Sequence, residues 1–345
     1  MTRHRTLFMT ERSRFHQQFA LDAAPAALDV VMLRQPEPAE LTAQLAEAEF
    51  IISERAGVID AAMIAAAPHL RMIVRVGSLA HDIDLDAARG QGVIVSLWPQ
   101  PGVIFVAEHI ILQMQALAKR LREAEAKALG AGSDAWAASR RTDEDTFAYN
   151  WTQRLDVGGL FEKTIGILGF GEIGAEVARH LQGWGCRVLY NRRRRLPEAL
   201  EAELGITYAA QDEVLAESDF VANLLPCYPE TDMSLGAAAF AGMKRGACLV
   251  SCGSGSVIDE AALAEAVRSG HLAGAALDTF EWEPVKPDNP LRLMAVADPQ
   301  VNVLLTPHTA NGTPSRDAVP TNGRARDYEP LLRFLAGQPI PNRLA

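Results

Sequence analysis

Residues Thr164–Gly174 read TIGILGFGEIG. A short apolar run, Thr164–Leu168, leads straight into Gly169-Phe170-Gly171-Glu172-Ile173-Gly174, a G-x-G-x-x-G. Ile173, Val177 and Leu181 then recur at helical spacing, and Arg187–Tyr190 opens a second apolar run. Strand, glycine turn, helix and strand in that order make a βαβ unit. Here the glycines permit a tight turn and close backbone approach to a pyrophosphate. The helix start offers unpaired N–H groups and the positive end of its dipole. Alone the motif is a weak signal; in this context it marks a dinucleotide cradle at Gly169, Gly171, Glu172, Ile173 and Gly174.

The end of the second strand selects the nucleotide. An Asp or Glu about 20 residues past the glycines would hold a ribose 2′-hydroxyl and repel a 2′-phosphate. Tyr190 is instead followed by Asn191-Arg192-Arg193-Arg194-Arg195. Asn191 can bond a ribose hydroxyl, and Arg192 and Arg193 can grip a phosphate bidentately. Four consecutive arginines are more often a solvated basic turn. Their place at this strand end favours a phosphate site and NADP(H) over NAD(H).

Outward from the cradle, strands alternate with helices. Thr6–Thr10, Asp29–Leu33, Phe50–Ser53, Arg71–Val76 and Val93–Leu97 read as strands, with helices near 38–48, 60–67 and 84–90. Beyond the cradle, strands are expected at Phe220–Leu224, Cys248–Ser251, Gly274–Asp278 and Val301–Leu305, and a tail helix at Asp327–Ala336. This alternation implies mostly parallel sheets. One long helix is expected from Val103 to Leu129, with Val106, Ile110, Met114, Leu117 and Leu121 on one face and apolar residues on others. Such a helix is buried on several sides, in an interdomain core or a homodimer interface. Residues 130–155, with Gly130, Gly132, Trp136, Tyr149 and Trp151, read as an irregular surface connection.

The 345 residues suggest two domains. With 33 Lys+Arg against 43 Asp+Glu, the net charge is -10. That argues against nucleic acid or an anionic membrane surface as partner and leaves a small-molecule substrate. No apolar run reaches the roughly 20 residues of a membrane span, and the N-terminus lacks a secretory core. Four cysteines without a C-x-x-C pair suggest reduced thiols, no metal site and a cytoplasmic protein.

Further segments extend the pattern: RVGSLAHDIDLDAA (Arg75–Ala88), VAEH (Val106–His109), SDFVANLLPCYPET, FAGMKRGACLVSCGSGSVIDEAAL, HLAGAALDTFEWEP and VLLTPHTA. Together with the cradle they resemble the D-isomer-specific 2-hydroxyacid dehydrogenases over nearly the whole chain. The NRRRR strand end is similar to that of the family's NADP-dependent glyoxylate and hydroxypyruvate reductases. The resemblance implies an α/β protein of two doubly wound parallel-sheet domains. A Rossmann dinucleotide-binding domain, residues 104–309, would be inserted in a flavodoxin-like substrate domain, residues 1–103 plus 310–345. It also implies a dimer.

The resemblance implies site residues as well. His308, in Thr306-Pro307-His308, would be the proton donor, and Glu283, in Glu281-Trp282-Glu283-Pro284, a buried carboxylate that orients it. Asp278 would bind the nicotinamide carboxamide, and Pro226 joins the cofactor set. Arg75, Val76, Gly77, Ser78 and Leu79 would form the loop for the substrate's carboxylate.

Two positions depart from the family pattern. The usual Ala-Arg-Gly falls on Gly253-Ser254-Gly255, so Ser254 stands where the catalytic arginine is expected. The usual Gly-x-Gly falls on Gly77-Ser78-Leu79. Both changes concern groups expected at one end of the substrate. They imply a reductase for a bulkier or less charged carbonyl compound than an ordinary 2-keto acid. The alternative they leave open is a nucleotide-binding sensor or scaffold of the same fold.

Overall fold

The computed structural model describes residues 3–54, 57–130, 139–147, 149–312 and 323–345. The chain divides into two compact units, Met1–Pro101 with Thr313–Ala345, and Gly102–Gly312.

The first unit is built on β1 (His4–Thr10), β2 (Leu28–Leu33), β3 (Phe50–Glu54), β4 (Met72–Val76) and β5 (Ile94–Trp98). They form one parallel sheet in the order β2-β1-β3-β4-β5, the flavodoxin-type order. Side chains alternate across the sheet, and both faces are covered. Leu7, Met9, Ile51, Ile73 and Val95 pack on one side; Phe8, Phe50, Ile52, Met72 and Val74 pack on the other. Two covered faces explain why these strands read as mostly apolar runs rather than as a strict apolar–polar alternation.

A buried ionic cluster ties the tail of the chain to this sheet. The Glu54 carboxylate accepts from Arg12, Thr10 and both terminal nitrogens of Arg324 at 2.7–3.0 Å. Burial alone would raise the Glu54 carboxyl, but the two guanidiniums and the hydroxyl outweigh it and hold it at about 2. Asp327, next to Arg324, is pushed the other way, to about 6, chiefly by burial.

The second unit holds β6 (Thr164–Leu168), β7 (Arg187–Asn191), β8 (Ile206–Tyr208), β9 (Phe220–Asn223), β10 (Cys248–Ser251), β11 (Gly274–Leu277) and β12 (Val303–Leu305). All are parallel, in the order β12-β11-β10-β9-β6-β7-β8. The direction of winding reverses at β6, with β7 on one side and β9 on the other. A crevice therefore opens beyond the carboxyl ends of β6 and β9.

Two expectations are corrected, and one helix is added. The long helix is two helices, Pro101–Ala118 and Leu121–Leu129, broken where Arg120 adopts φ +48°. The apolar stripe ends with Leu117, since Leu121 is half exposed, and Phe105 and Leu112 are exposed as well. Pro101–Ala118 has the length and apolar composition of a membrane span, yet seven of its residues are buried within the protein. A helix at Arg14–Asp22 has no counterpart in the sequence reading, because it buries only Ala20. The tail helix is shorter than expected, Glu329–Leu335, and follows a 3-10 turn at Gly323–Tyr328. In the connection after Leu129, Tyr149 and Trp151 are exposed, while Gly132 and Trp136 lie outside the described residues.

The Glu54 cluster makes the stability pH-dependent with a definite sign. Its folded pKa lies below the unfolded value, so its contribution is complete above about pH 4.5 and lost as pH falls toward about 2. Asp327 acts oppositely, because folding favours its protonated form below about pH 6. Glu54→Gln should therefore remove up to about 3 kcal/mol at pH 7. It should also flatten the fall in urea midpoint between pH 5 and pH 3; an unchanged slope would dissociate Glu54 from acid unfolding.

Candidate active site

The loops that follow β6, β7, β9, β10, β11 and β12 all leave the carboxyl edge of the second sheet. At β6, Gly169 has φ +84°, and a Cβ there would lie 2.6 Å from the Leu224 carbonyl carbon beyond β9. The two loops are locked together by the Leu224 N–H, which donates to the Leu168 carbonyl at 2.8 Å. At Gly171 a Cβ would meet nothing within 4 Å. Gly171 is also the N-cap of helix Glu172–Leu181 and supplies no side-chain cap to its first N–H groups. A Cβ on Gly174 would come 3.0 Å from the Phe170 ring. The first glycine thus makes the turn, the second leaves an open cradle and the third lets helix pack on strand. That division of labour fits a dinucleotide pyrophosphate.

The arginine run splits into different roles. Arg195 is bound bidentately by Glu201, at 2.9 and 2.7 Å. The buried Tyr190 hydroxyl donates to the same carboxylate at 2.6 Å and accepts from the Leu196 N–H at 2.9 Å. Arg195, with the Tyr190 hydroxyl, holds the Glu201 carboxyl below its usual range. This triad closes the loop from Asn191 to Leu196 and gives Arg195 a structural role apart from Arg192 and Arg193. Asn191 accepts the Gly169 and Phe170 N–H groups on its backbone carbonyl and donates its amide to the Ala209 carbonyl at 2.8 Å. The guanidinium of Arg193 lies over the Tyr228 ring, 5.2 Å from its centroid. Pro226 is exposed at the start of the same loop as Tyr228.

Beyond β10, Ser254 is anchored by its N–H to the Leu225 carbonyl at 2.9 Å. A Cβ on Gly255 would fall 1.9 Å from the Phe280 carbonyl oxygen, so that glycine is a steric requirement. The Ser254 hydroxyl lies 3.3 Å from that of Ser256, which donates to the exposed Cys227 sulfur.

Beyond β11 and β12 the structure brings Glu283 and His308 together. The Glu283 carboxylate accepts the Phe280 N–H at 3.0 Å with Oε1 and meets His308 Nδ1 at 2.7 Å with Oε2. The Glu283 side chain is 36% exposed rather than buried, which corrects the sequence expectation. His308 sits at φ +53°, a left-handed conformation unusual for a side-chain-bearing residue. The buried Asp278 carboxylate holds it there. One oxygen accepts from the Thr306 hydroxyl at 2.6 Å and the Thr309 N–H at 3.0 Å, and the other accepts the Ala310 N–H at 2.9 Å.

Residues 129–310, which carry this whole carboxyl edge, match a family model: D-isomer specific 2-hydroxyacid dehydrogenase, NAD binding domain. This chain belongs to the D-isomer-specific 2-hydroxyacid dehydrogenase family. It is 32% identical over 337 residues to the glyoxylate reductase of Korarchaeum cryptofilum, covering 96% of this chain and 91% of that one. It is also 32% identical over 308 residues to the D-3-phosphoglycerate dehydrogenase of Mycobacterium leprae, covering 89% of this chain but 53% of that one. Among solved structures, the TT0316 protein of Thermus thermophilus is 29% identical with a TM-score of 0.52, covering 99% of this chain and 100% of that one. As a family member the chain is an oxidoreductase acting by nicotinamide-dependent hydride transfer.

Two substrate-loop expectations of the dehydrogenase reading change. Arg75 is 5% exposed and braces its own loop. It donates to the Leu79 and Ser53 carbonyls and pairs with Asp82 at 3.2 Å. Leu79 is 3% exposed and presents no open apolar surface. Val76 ends β4 and is buried, Gly77 takes φ +139° beside it, and Ser78 is half-buried.

The sequence reading missed a polar cluster behind Asp278. His109 Nε2 lies 3.2 Å from the Thr306 hydroxyl and 3.7 Å from Asp278, and Gln113 donates to Thr306 at 3.3 Å. Burial, with Asp278 nearby, pushes the Cys252 thiol far above its ordinary range. A polar Gln113 inside an otherwise apolar helix face was the available signal. Asp278→Asn should set an amide donor against a backbone N–H and destabilise the second unit by about 2–3 kcal/mol in urea denaturation. An unchanged midpoint would mean the His308 turn stands without it.

Proposed function

We propose that this chain is an NADP(H)-dependent reductase for a carbonyl compound other than the small 2-keto acids. The observation that carries the substrate part is Ser254. Its loop offers the hydroxyls of Ser254 and Ser256, beside the Cys227 thiol of the loop after β9, where the family resemblance expects a guanidinium. A carboxylate left unpaired in a water-poor site is expensive, and a neutral hydroxyl does not offset its charge. The relative from Korarchaeum cryptofilum is called a glyoxylate reductase, and the substitution argues for a different preference here.

The cofactor part rests on Asn191, Arg192 and Arg193. The nearby carboxylate, Glu201, is already neutralised by Arg195, so it does not repel a 2′-phosphate. In this reading the glycine loop and the start of helix Glu172–Leu181 bind the pyrophosphate. Asn191 faces the ribose, and Arg192 and Arg193 take the phosphate. When bound, the dinucleotide supplies the hydride. Glu283 orients His308 through Nδ1, which leaves Nε2 to pass a proton to the carbonyl oxygen. Asp278 keeps His308 in its left-handed turn, so the imidazole is placed before substrate arrives. The pairing of His308 with Glu283 supports catalysis over the alternative, a nucleotide sensor, which the absent arginine favours.

Calorimetric titration should give NADPH binding at least about 10-fold tighter than NADH, from one or more charge-assisted phosphate contacts. Arg192→Ala should weaken NADPH and leave NADH nearly unchanged; equal affinities in the unmodified protein would refute the cofactor reading. With NADPH saturating, glyoxylate, pyruvate and hydroxypyruvate should be reduced with kcat/KM below about 10⁴ M⁻¹s⁻¹. Ser254→Arg should raise at least one of them. Efficient turnover of any of the three by the unmodified protein would overturn the substrate reading. Tight NADPH binding with no turnover across a broad carbonyl panel would favour the sensor.

A further inference from the structure

We propose that Tyr228 is a specificity-determining residue for the nucleotide, holding Arg193 in place for the 2′-phosphate without neutralising it. This rests on the NADP(H) reading above. The strand order sets the geometry. β7 and β9 flank β6, so the loops following them rise on either side of the glycine turn. Arg193 belongs to the loop after β7 and Tyr228 to the loop after β9. Their contact, 5.2 Å from guanidinium carbon to ring centroid, spans the mouth of the nucleotide crevice.

Arg195 and Arg193, both on the Asn191–Leu196 loop, are held by opposite means. Arg195 is fixed by a carboxylate, which consumes its charge and two of its donors. Arg193 is fixed by a π face. A guanidinium over a ring face keeps its charge and spends no N–H donor on a carboxylate, so an oxyanion can still take its donors bidentately. Such a hold restricts the side chain while leaving it competent to bind. The ring itself stands on a firm turn. The Tyr228 N–H donates to the Thr231 hydroxyl at 2.9 Å, and its carbonyl accepts the Thr231 and Asp232 N–H groups at 3.0 Å. The Thr231 hydroxyl in turn donates to the Pro226 carbonyl at 2.6 Å. Tyr228 is 41% exposed, so its replacement disturbs little of the core.

The test is calorimetric titration of the full chain with NADPH and with NADH, for the unmodified protein, Tyr228→Leu, Tyr228→Phe, Arg193→Ala and the Tyr228→Leu/Arg193→Ala double variant. Thermal melting serves as the folding control. Tyr228→Leu should weaken NADPH by about three-fold and leave NADH within error. Tyr228→Phe, which keeps the ring, should retain the NADPH:NADH ratio. The double variant should bind NADPH no more weakly than Arg193→Ala alone, because the tyrosine acts through the arginine. An unmodified protein without NADPH preference would fail the cofactor reading itself. If that preference exists, an unaltered ratio in Tyr228→Leu overturns the role of Tyr228. So does an equal loss for both nucleotides, and so do additive losses in the double variant.

Discussion

All strands of the second sheet run in one direction, and the rest of this molecule's chemistry depends on that. A parallel sheet delivers each of its loops to the same edge. Residues as distant in sequence as Gly169, Asn191, Ser254, Asp278 and His308 therefore meet there without any long excursion of the chain. The price of the arrangement is a deeply covered sheet, and the core shows it: Leu189, Val221, Leu249, Ala275 and Val303 form one cross-strand row and are all fully buried. Where loops crowd at the edge, side chains are sacrificed. Gly169 and Gly255 are glycines because backbone from a neighbouring loop occupies the space a Cβ would need.

Within that frame, the buried Asp278 carboxylate is the element that turns a strand end into a working surface. A left-handed non-glycine residue costs about 1–2 kcal/mol. Asp278 offsets this with two backbone N–H groups and one hydroxyl, all bonded to a charged acceptor. The result is an exposed imidazole on a rigid stem. His308 is 58% exposed at its side chain while the aspartate beneath it is 1% exposed. Exposure of the imidazole and burial of its support are two halves of one design.

The sequence was most legible where one physical signal dominated. β6 and β10 are legible to the residue, because both are short apolar runs with a glycine within two residues of the end. β8 was not seen, since three residues carry no periodicity. The helix at Arg14–Asp22 exposes Phe15 and Phe19 and so lacks an apolar stripe to read. The pairing of His308 with Glu283 was legible through motif resemblance, and the geometry unites them. Arg75 was not legible. A basic residue at a strand end suggests ligand binding, but whether its donors turn outward or back to its own loop depends on contacts such as Ser53 and Asp82 that are remote in sequence. The same holds for Thr306 and Gln113, whose significance lies in what they touch.

The first sheet is completed from the far end of the chain. The Leu97 N–H donates to the Asn342 carbonyl and the Leu344 N–H to the Val95 carbonyl, while Arg324 reaches Glu54. During synthesis, the ribosome must make the whole second unit before these partners emerge. The second unit, continuous in sequence, can fold as soon as it is released. The first must wait with the edge of β5 unpaired and the Glu54 carboxylate short of one guanidinium. The nascent protein is thus exposed to strand-edge association for as long as translation of the intervening segment takes, and slow translation there lengthens the window in which chaperones matter.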